Sequence, residues 1–158
     1  MTSDTYATKL VAVFAGGHPD TEKGVKVATS ETIYPGYPIY VANGLAYAAQ
    51  SSDRVTGVAA SKPGHDDDVA FTALEVIEYY PVGQDTYVWV RWLAQTPQVT
   101  INEGDVIVLS GTDGYVMKWA YTDGTEASDT FVNKVGRSAS YKVGSATNNY
   151  LIRVHLSG

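Results

Sequence analysis

The sequence predicts an all-β fold, a compact β-barrel-like or β-sandwich domain built from two related β-units with an extended N-terminal arm. Short runs rich in Val, Ile, Tyr and Thr alternate with turn residues, and the 158-residue chain holds 12 Tyr and 15 Gly. The first set favours pleated strands and the glycines punctuate them. No segment carries a 3.6-residue apolar period for more than two turns. One stretch also occurs twice. Ile33-Tyr34-Pro35-Gly36-Tyr37-Pro38-Ile39-Tyr40-Val41 is echoed by Ile101-Asn102-Glu103-Gly104-Asp105-Val106-Ile107-Val108-Leu109.

Each copy of the repeat then enters a turn and a strand, Asn43-Gly44-Leu45-Ala46-Tyr47 in one and Asp113-Gly114-Tyr115-Val116-Met117 in the other. Each next reaches a Val/Gly step, Val55-Thr56-Gly57-Val58-Ala59 and Lys134-Val135-Gly136-Arg137-Ser138. The matching glycines lie 68, 70 and 79 residues apart, so the second copy is longer in its loops.

In chain order, residues 1–30 read as an arm with leading strands: polar 1–8, a strand at Lys9–Ala15, a Gly/Pro turn at 16–20, and an alternating strand at Gly24–Thr29. The first unit spans about 31–72. Its Asn43-Gly44 pair predicts a type I′ hairpin, because both residues tolerate positive φ. Ser61–Asp68 is a long exposed turn, and Val69-Ala70-Phe71 is expected to close the unit as a strand. Residues 73–80 favour a strand over a short helix. Thr86–Leu93 is the clearest strand, and both of its faces are largely apolar, which predicts a central position. The second unit spans about 97–158, with a polar insertion at 121–129 and a last alternating strand at Tyr150–Leu156.

Composition narrows the function. The apolar fraction of 44% builds a core, and the net charge of −6 with scattered basic residues argues against direct nucleic-acid binding. There is no cysteine, which removes disulfides, thiolate metal sites and Cys nucleophiles. The apolar patch Leu10–Ala15 is too short for a signal peptide or a membrane span, so a soluble chain made in the cytoplasm, with no membrane partner, is expected.

The order of a Gly-led strand, an Asn-Gly or Asp-Gly hairpin, a Val-Gly-Val-Ala step and a closing strand resembles the capsid decoration (cement) proteins of tailed bacterial and archaeal viruses. Gly36, Ile39, Val41, Gly44, Gly57, Val58, Ala59, Val69 and Phe71 carry the first match. Gly104, Val106, Val108, Gly114, Gly136, Ile152 and Val154 carry the second. The resemblance covers residues 31–158. It implies a structural, non-enzymatic virion protein that binds the major capsid protein on the capsid exterior, in many copies and commonly as a homotrimer. Such clamps gain from multivalency, since weak contacts add to a tight joint attachment.

Site expectations are modest. The sequence implies no cofactor, no catalytic set and no metal centre. His65-Asp66-Asp67-Asp68 has hard oxygens suited to Ca²⁺ or Mg²⁺, but lacks EF-hand spacing, so a solvated turn is the expected reading. His18, His65 and His155 lie in no catalytic motif. Tyr6, Trp119 and Tyr121 are the candidate partner-binding residues, from the arm at 1–30 and the loop at 119–130. Deleting residues 1–8 is expected to weaken capsid binding. Trp119, bordering a polar loop, could instead stack on a surface glycan, which makes a carbohydrate-binding module the main alternative. A tail or baseplate component is a third. Trp89 and Trp92 are expected in the core.

Overall fold

A computed structural model describes residues 13–17, 21–93, 99–119, 133–144 and 149–157. Among them run thirteen strands: β1 (Phe14–Gly17), β2 (Glu22–Val27), β3 (Pro38–Ala42), β4 (Leu45–Ala48), β5 (Gly57–Ala59), β6 (Val76–Pro81), β7 (Thr86–Leu93), β8 (Val99–Ile101), β9 (Val106–Leu109), β10 (Val116–Lys118), β11 (Lys134–Ser138), β12 (Lys142–Gly144) and β13 (Asn149–His155). The fold is all-β, as the sequence predicts, and it forms two barrels.

The first barrel closes in the order β2-β4-β3-β5-β6. The second closes as β7-β10-β9-β11-β13, because β13 pairs with β7 from Asn149↔Leu93 to His155↔Tyr87. The opposite edge of β7 takes β1 near its start and β10 near its end. Both faces of β7 are covered near its centre: Val88, Val90 and Trp92 point into the second barrel, and Arg91 on the other face lies under the first. β8 and β12 form a separate two-stranded ribbon.

The two barrels have one topology. In each, the first strand runs parallel to the third and antiparallel to the last. The second and third strands form an antiparallel hairpin, and the second also pairs with the fourth. The match reaches single hydrogen bonds. Tyr37 N donates to Tyr34 O at 3.1 Å and Asp105 N to Asn102 O at 3.2 Å, with Gly36 at φ 87° and Gly104 at φ 89°. These are type II turns, which need positive φ at the third residue. Gly36 N donates to Ala59 O at 2.9 Å, and Gly104 N to Ser138 O at 2.7 Å.

Gly57 and Gly136 correspond in another way. A Cβ on Gly57 would collide with the Tyr80 carbonyl, and one on Gly136 with the His155 carbonyl. Each glycine therefore lets the fourth strand approach the last strand of its barrel. The first hairpin turns on Asn43 (φ 54°) and Gly44 (φ 76°), the expected type I′ pair.

Alternation sets the interiors. Val25, Val27, Ile39, Ala46 and Ile77 fill the first barrel. Val88, Val90, Trp92, Ile107, Val116, Ile152 and Val154 fill the second. Val55, Val58, Ala60 and Tyr80 of the first barrel belong to the second cluster, so the cores merge at the junction.

Several boundaries move from their expected places. The leading strands of 1–30 join the barrels: β2 is the first strand of the first barrel, and β1 adds to β7. The first unit thus starts at Glu22 and the second at Thr86. Val69-Ala70-Phe71 is loop, with Phe71 turned into the core while Val69 stays exposed, and β6 closes the barrel instead. The expected strand at 9–15 and insertion at 121–129 lie wholly or largely outside the described residues.

Candidate functional site

The barrels meet around one arginine. Arg91 projects from the outer face of β7 and is only 3% exposed. Its Nε donates to Pro35 O at 3.1 Å and its Nη2 to Asp67 O at 2.5 Å. The guanidinium lies over the rings of Tyr34 (4.7 Å) and Tyr37 (5.4 Å). Planar, always charged and donor-rich, arginine suits such a buried position better than lysine. Arg91 N also donates to Gly36 O at 3.3 Å, and Ser51 N to Ser110 O at 2.8 Å, so backbone bonds tie the barrels on either side. Tyr37 packs on Tyr115 at 5.6 Å and occupies the space a Cβ on Gly114 would need. Burial, reinforced by Tyr115, holds the Tyr37 phenol well above its ordinary pKa.

Asp67 lies close to this arginine. It is buried, and among the described residues neither carboxylate oxygen accepts a hydrogen bond. Burial raises its pKa, outweighing the pull of the nearby Ser61 hydroxyl and Arg91 charge. The expected solvated turn is thus corrected at this one residue: Asp67 is buried, and its main-chain carbonyl accepts from Arg91.

The rest of the acidic run holds its own loop. Asp66 Oδ1 accepts from Asp68 N at 3.0 Å, an Asx turn. His65 Nε2 meets Val69 O at 2.7 Å, and its ring stacks on Phe71 at 4.5 Å. Glu75 accepts from Thr72 N at 3.0 Å and pairs with Lys62 at 2.7 Å. The Lys62 ammonium and the Thr72 donors hold the Glu75 carboxyl down to about 2. Among the described residues no three His, Asp or Glu side chains gather to hold a metal ion.

A second cluster lies on the outer face of β13, where alternation sends Arg153 and His155 outward. With Tyr87, Glu103 and Arg137 they line a depression of about 470 Å³. Tyr87 stacks on His155 at 4.4 Å, and Arg153 lies 5.5 Å over its ring. Arg137 Nη1 donates to Gly104 O at 2.9 Å, and Arg153 Nη2 reaches Ala139 O at 3.4 Å. Two guanidinium forks in one dish can hold a carboxylate or other oxyanion.

Asp85 and Ser157 also meet His155, a set that sequence separation hides. Asp85 Oδ1 lies 2.6 Å from His155 Nε2. Ser157 Oγ lies 3.0 Å from that same nitrogen and 3.4 Å from Nδ1. A nucleophilic triad puts its acid and its serine on opposite ring nitrogens. Here the shortest acid and hydroxyl contacts both fall on Nε2, and together they hold the imidazole ring beside Tyr87.

Of the predicted partner-binding residues, Trp119 follows β10, half-buried, with its N donating to Val106 O at 2.9 Å. Tyr6 and Tyr121 lie outside the described residues, as does His18. Trp92 is fully buried and Trp89 packs against the core at its edge. Trp119 is not among the described residues that line the dish. The dish residues were hidden because they come from four separated segments, with only the outward alternation of β13 as a signal.

No protein-family model matches this chain, and no curated protein matches its sequence.

Proposed function

We propose that this protein is a structural virion component that binds the outer face of an icosahedral capsid and stabilises it as a decoration protein, in several copies and as a homotrimer. The observation that carries the reading is the doubled barrel. Two closed barrels of one topology are joined through a shared core and a buried arginine. The paired glycines that build those barrels are the residues on which the sequence resemblance rests. Within the 61–76 loop, Asp66 and Glu75 are committed to holding the loop itself. Such a scaffold presents fixed outer surfaces to several capsid subunits at once, and joint attachment multiplies weak contacts. The test adds the purified chain to particles that lack it. Saturable binding with a raised temperature of genome release supports the reading, and no binding removes it.

One observation favours a second reading, capture of an acidic sugar: the dish of Arg137, Arg153, Tyr87 and His155. A glycan array probed with the parent chain and an Arg137→Ala/Arg153→Ala variant tests it. An acidic-glycan signal lost in the variant supports this reading, and no parent signal removes it.

A further inference from the structure

We propose that the exposed Lys26–Val76 face of the first barrel is a self-docking site, on which a second copy of this chain seats the Asn102–Asp105 turn of its second barrel. The contact brings together, between copies, the positions equivalent to those that meet at the junction within one chain. The proposal names the contact behind the self-association in the capsid reading. Its test contains no capsid, so each can fail without the other.

The residue equivalence of the barrels carries the inference. Val25 pairs with Ile77 in the first barrel, and Val90 with Ile152 in the second, all four pointing inward. One step along, Lys26 pairs with Val76 and Arg91 with Leu151. A further step on, Val27 pairs with Ala46 and Trp92 with Val116. Lys26 therefore occupies the place of Arg91, and Val76 that of Leu151. Their surroundings differ. Arg91 and Leu151 are each 3% exposed, Arg91 under the first barrel. Val76 is 49% exposed, neighbouring Leu74 is 54% exposed, and Lys26 is exposed too.

The other half of the junction is also present twice. In the first barrel the Tyr34–Tyr37 turn receives Arg91, through Pro35 O and Gly36 O. Its counterpart in the second barrel is the Asn102–Asp105 turn, which puts Glu103 in the place of Pro35 and leaves it exposed. The loop that packs beside Arg91 starts after Ala60, and its counterpart starts after Ala139: Ala60 N donates to Glu78 O and Ala139 N to Arg153 O. That counterpart carries Tyr141, 64% exposed. So three of the four large exposed hydrophobic residues among those described, Leu74, Val76 and Tyr141, lie on the two unmatched ends.

Charge fits the same pairing. By the same equivalence, Lys26 of one copy takes the place of Arg91 against the next copy's turn, where the exposed Glu103 stands in the place of Pro35 and offers the opposite charge. Asp105 in that turn is already paired with Lys118 at 3.0 Å. A contact between two different surfaces of one chain is heterologous, and it propagates until a ring closes.

Sedimentation velocity on the purified full chain, over a concentration series, tests this. The parent is expected to self-associate reversibly. Lys26→Glu and Glu103→Lys should each weaken association about tenfold or more, as like charges meet. The double variant Lys26→Glu/Glu103→Lys should recover most of the loss. Both positions are exposed, so unchanged thermal melts should accompany these effects. A parent that stays monomeric into the millimolar range would overturn the proposal. So would association indifferent to both single changes, or a double variant no better than the singles.

Discussion

Lys26 and Arg91 hold the same position in two barrels of one topology, yet only Arg91 is buried. The difference is what lies above them. Arg91 has two carbonyl acceptors and two tyrosine rings from the other barrel, while Lys26 faces outward. The two barrels present the same position twice, and a guanidinium suits the one that the junction buries.

Arg91→Ala should therefore be costly. It strands buried carbonyls of Pro35 and Asp67 and leaves Asp67 without its nearest cation, a loss of about 3 kcal/mol. Lys26→Ala, measured on the monomer, should stay within about 0.5 kcal/mol. Urea denaturation of both variants checks the contrast, and equal losses would contradict it.

The glycine pair gives a second expectation. Gly57→Ala and Gly136→Ala each drive a Cβ into a backbone carbonyl, and the strands must part. Each should cost about 1–3 kcal/mol. At Gly111 nothing lies within 4 Å of the added carbon, so Gly111→Ala should be neutral or slightly stabilising. Thermal melts of the three variants side by side measure this.

Asp67 makes stability depend on pH in an unusual sense. Its folded pKa is raised by burial, so the folded state holds the proton more tightly than the unfolded chain. Its contribution is full below the unfolded carboxylate pKa and is lost as pH rises through the folded value. Asp67→Asn should melt higher than the parent at neutral pH, and the two should converge in acid. Differential scanning calorimetry across that range reads the convergence.

Glu75 behaves oppositely. Its folded pKa of about 2 lies below its ordinary value of 4.5. The stabilisation is present above 4.5 and is lost as pH falls towards 2. Because Lys62 is largely in solvent, the pair is worth about 1 kcal/mol. Glu75→Gln should lose that much at pH 7, and the gap should close in acid, as the same calorimetry would show.

Turn chemistry made much of this fold legible. Gly36, Gly44, Gly104 and Gly114 announce turns because their conformations are local requirements that few other residues meet. They also betray the repeat. The first strands of the barrels were harder to match, since β2 and β7 share little beyond inward alternation at Val25/Val27 and Val90/Trp92. Pairing between strands distant in the chain, not local preference, defines their role. Arg91 carried one visible signal, a single charge within an apolar strand. Asp85 and His155 carried none, being 70 residues apart and joined only by the last strand lying beside β7.

The capsid reading is tested most directly by counting. Quantitative mass spectrometry of density-banded virus particles from the source would compare this chain with the major capsid protein. Hundreds of copies at a fixed ratio to the capsid subunit are the expected result. A handful of copies would move the chain to the tail, and its absence from the particles would contradict the account.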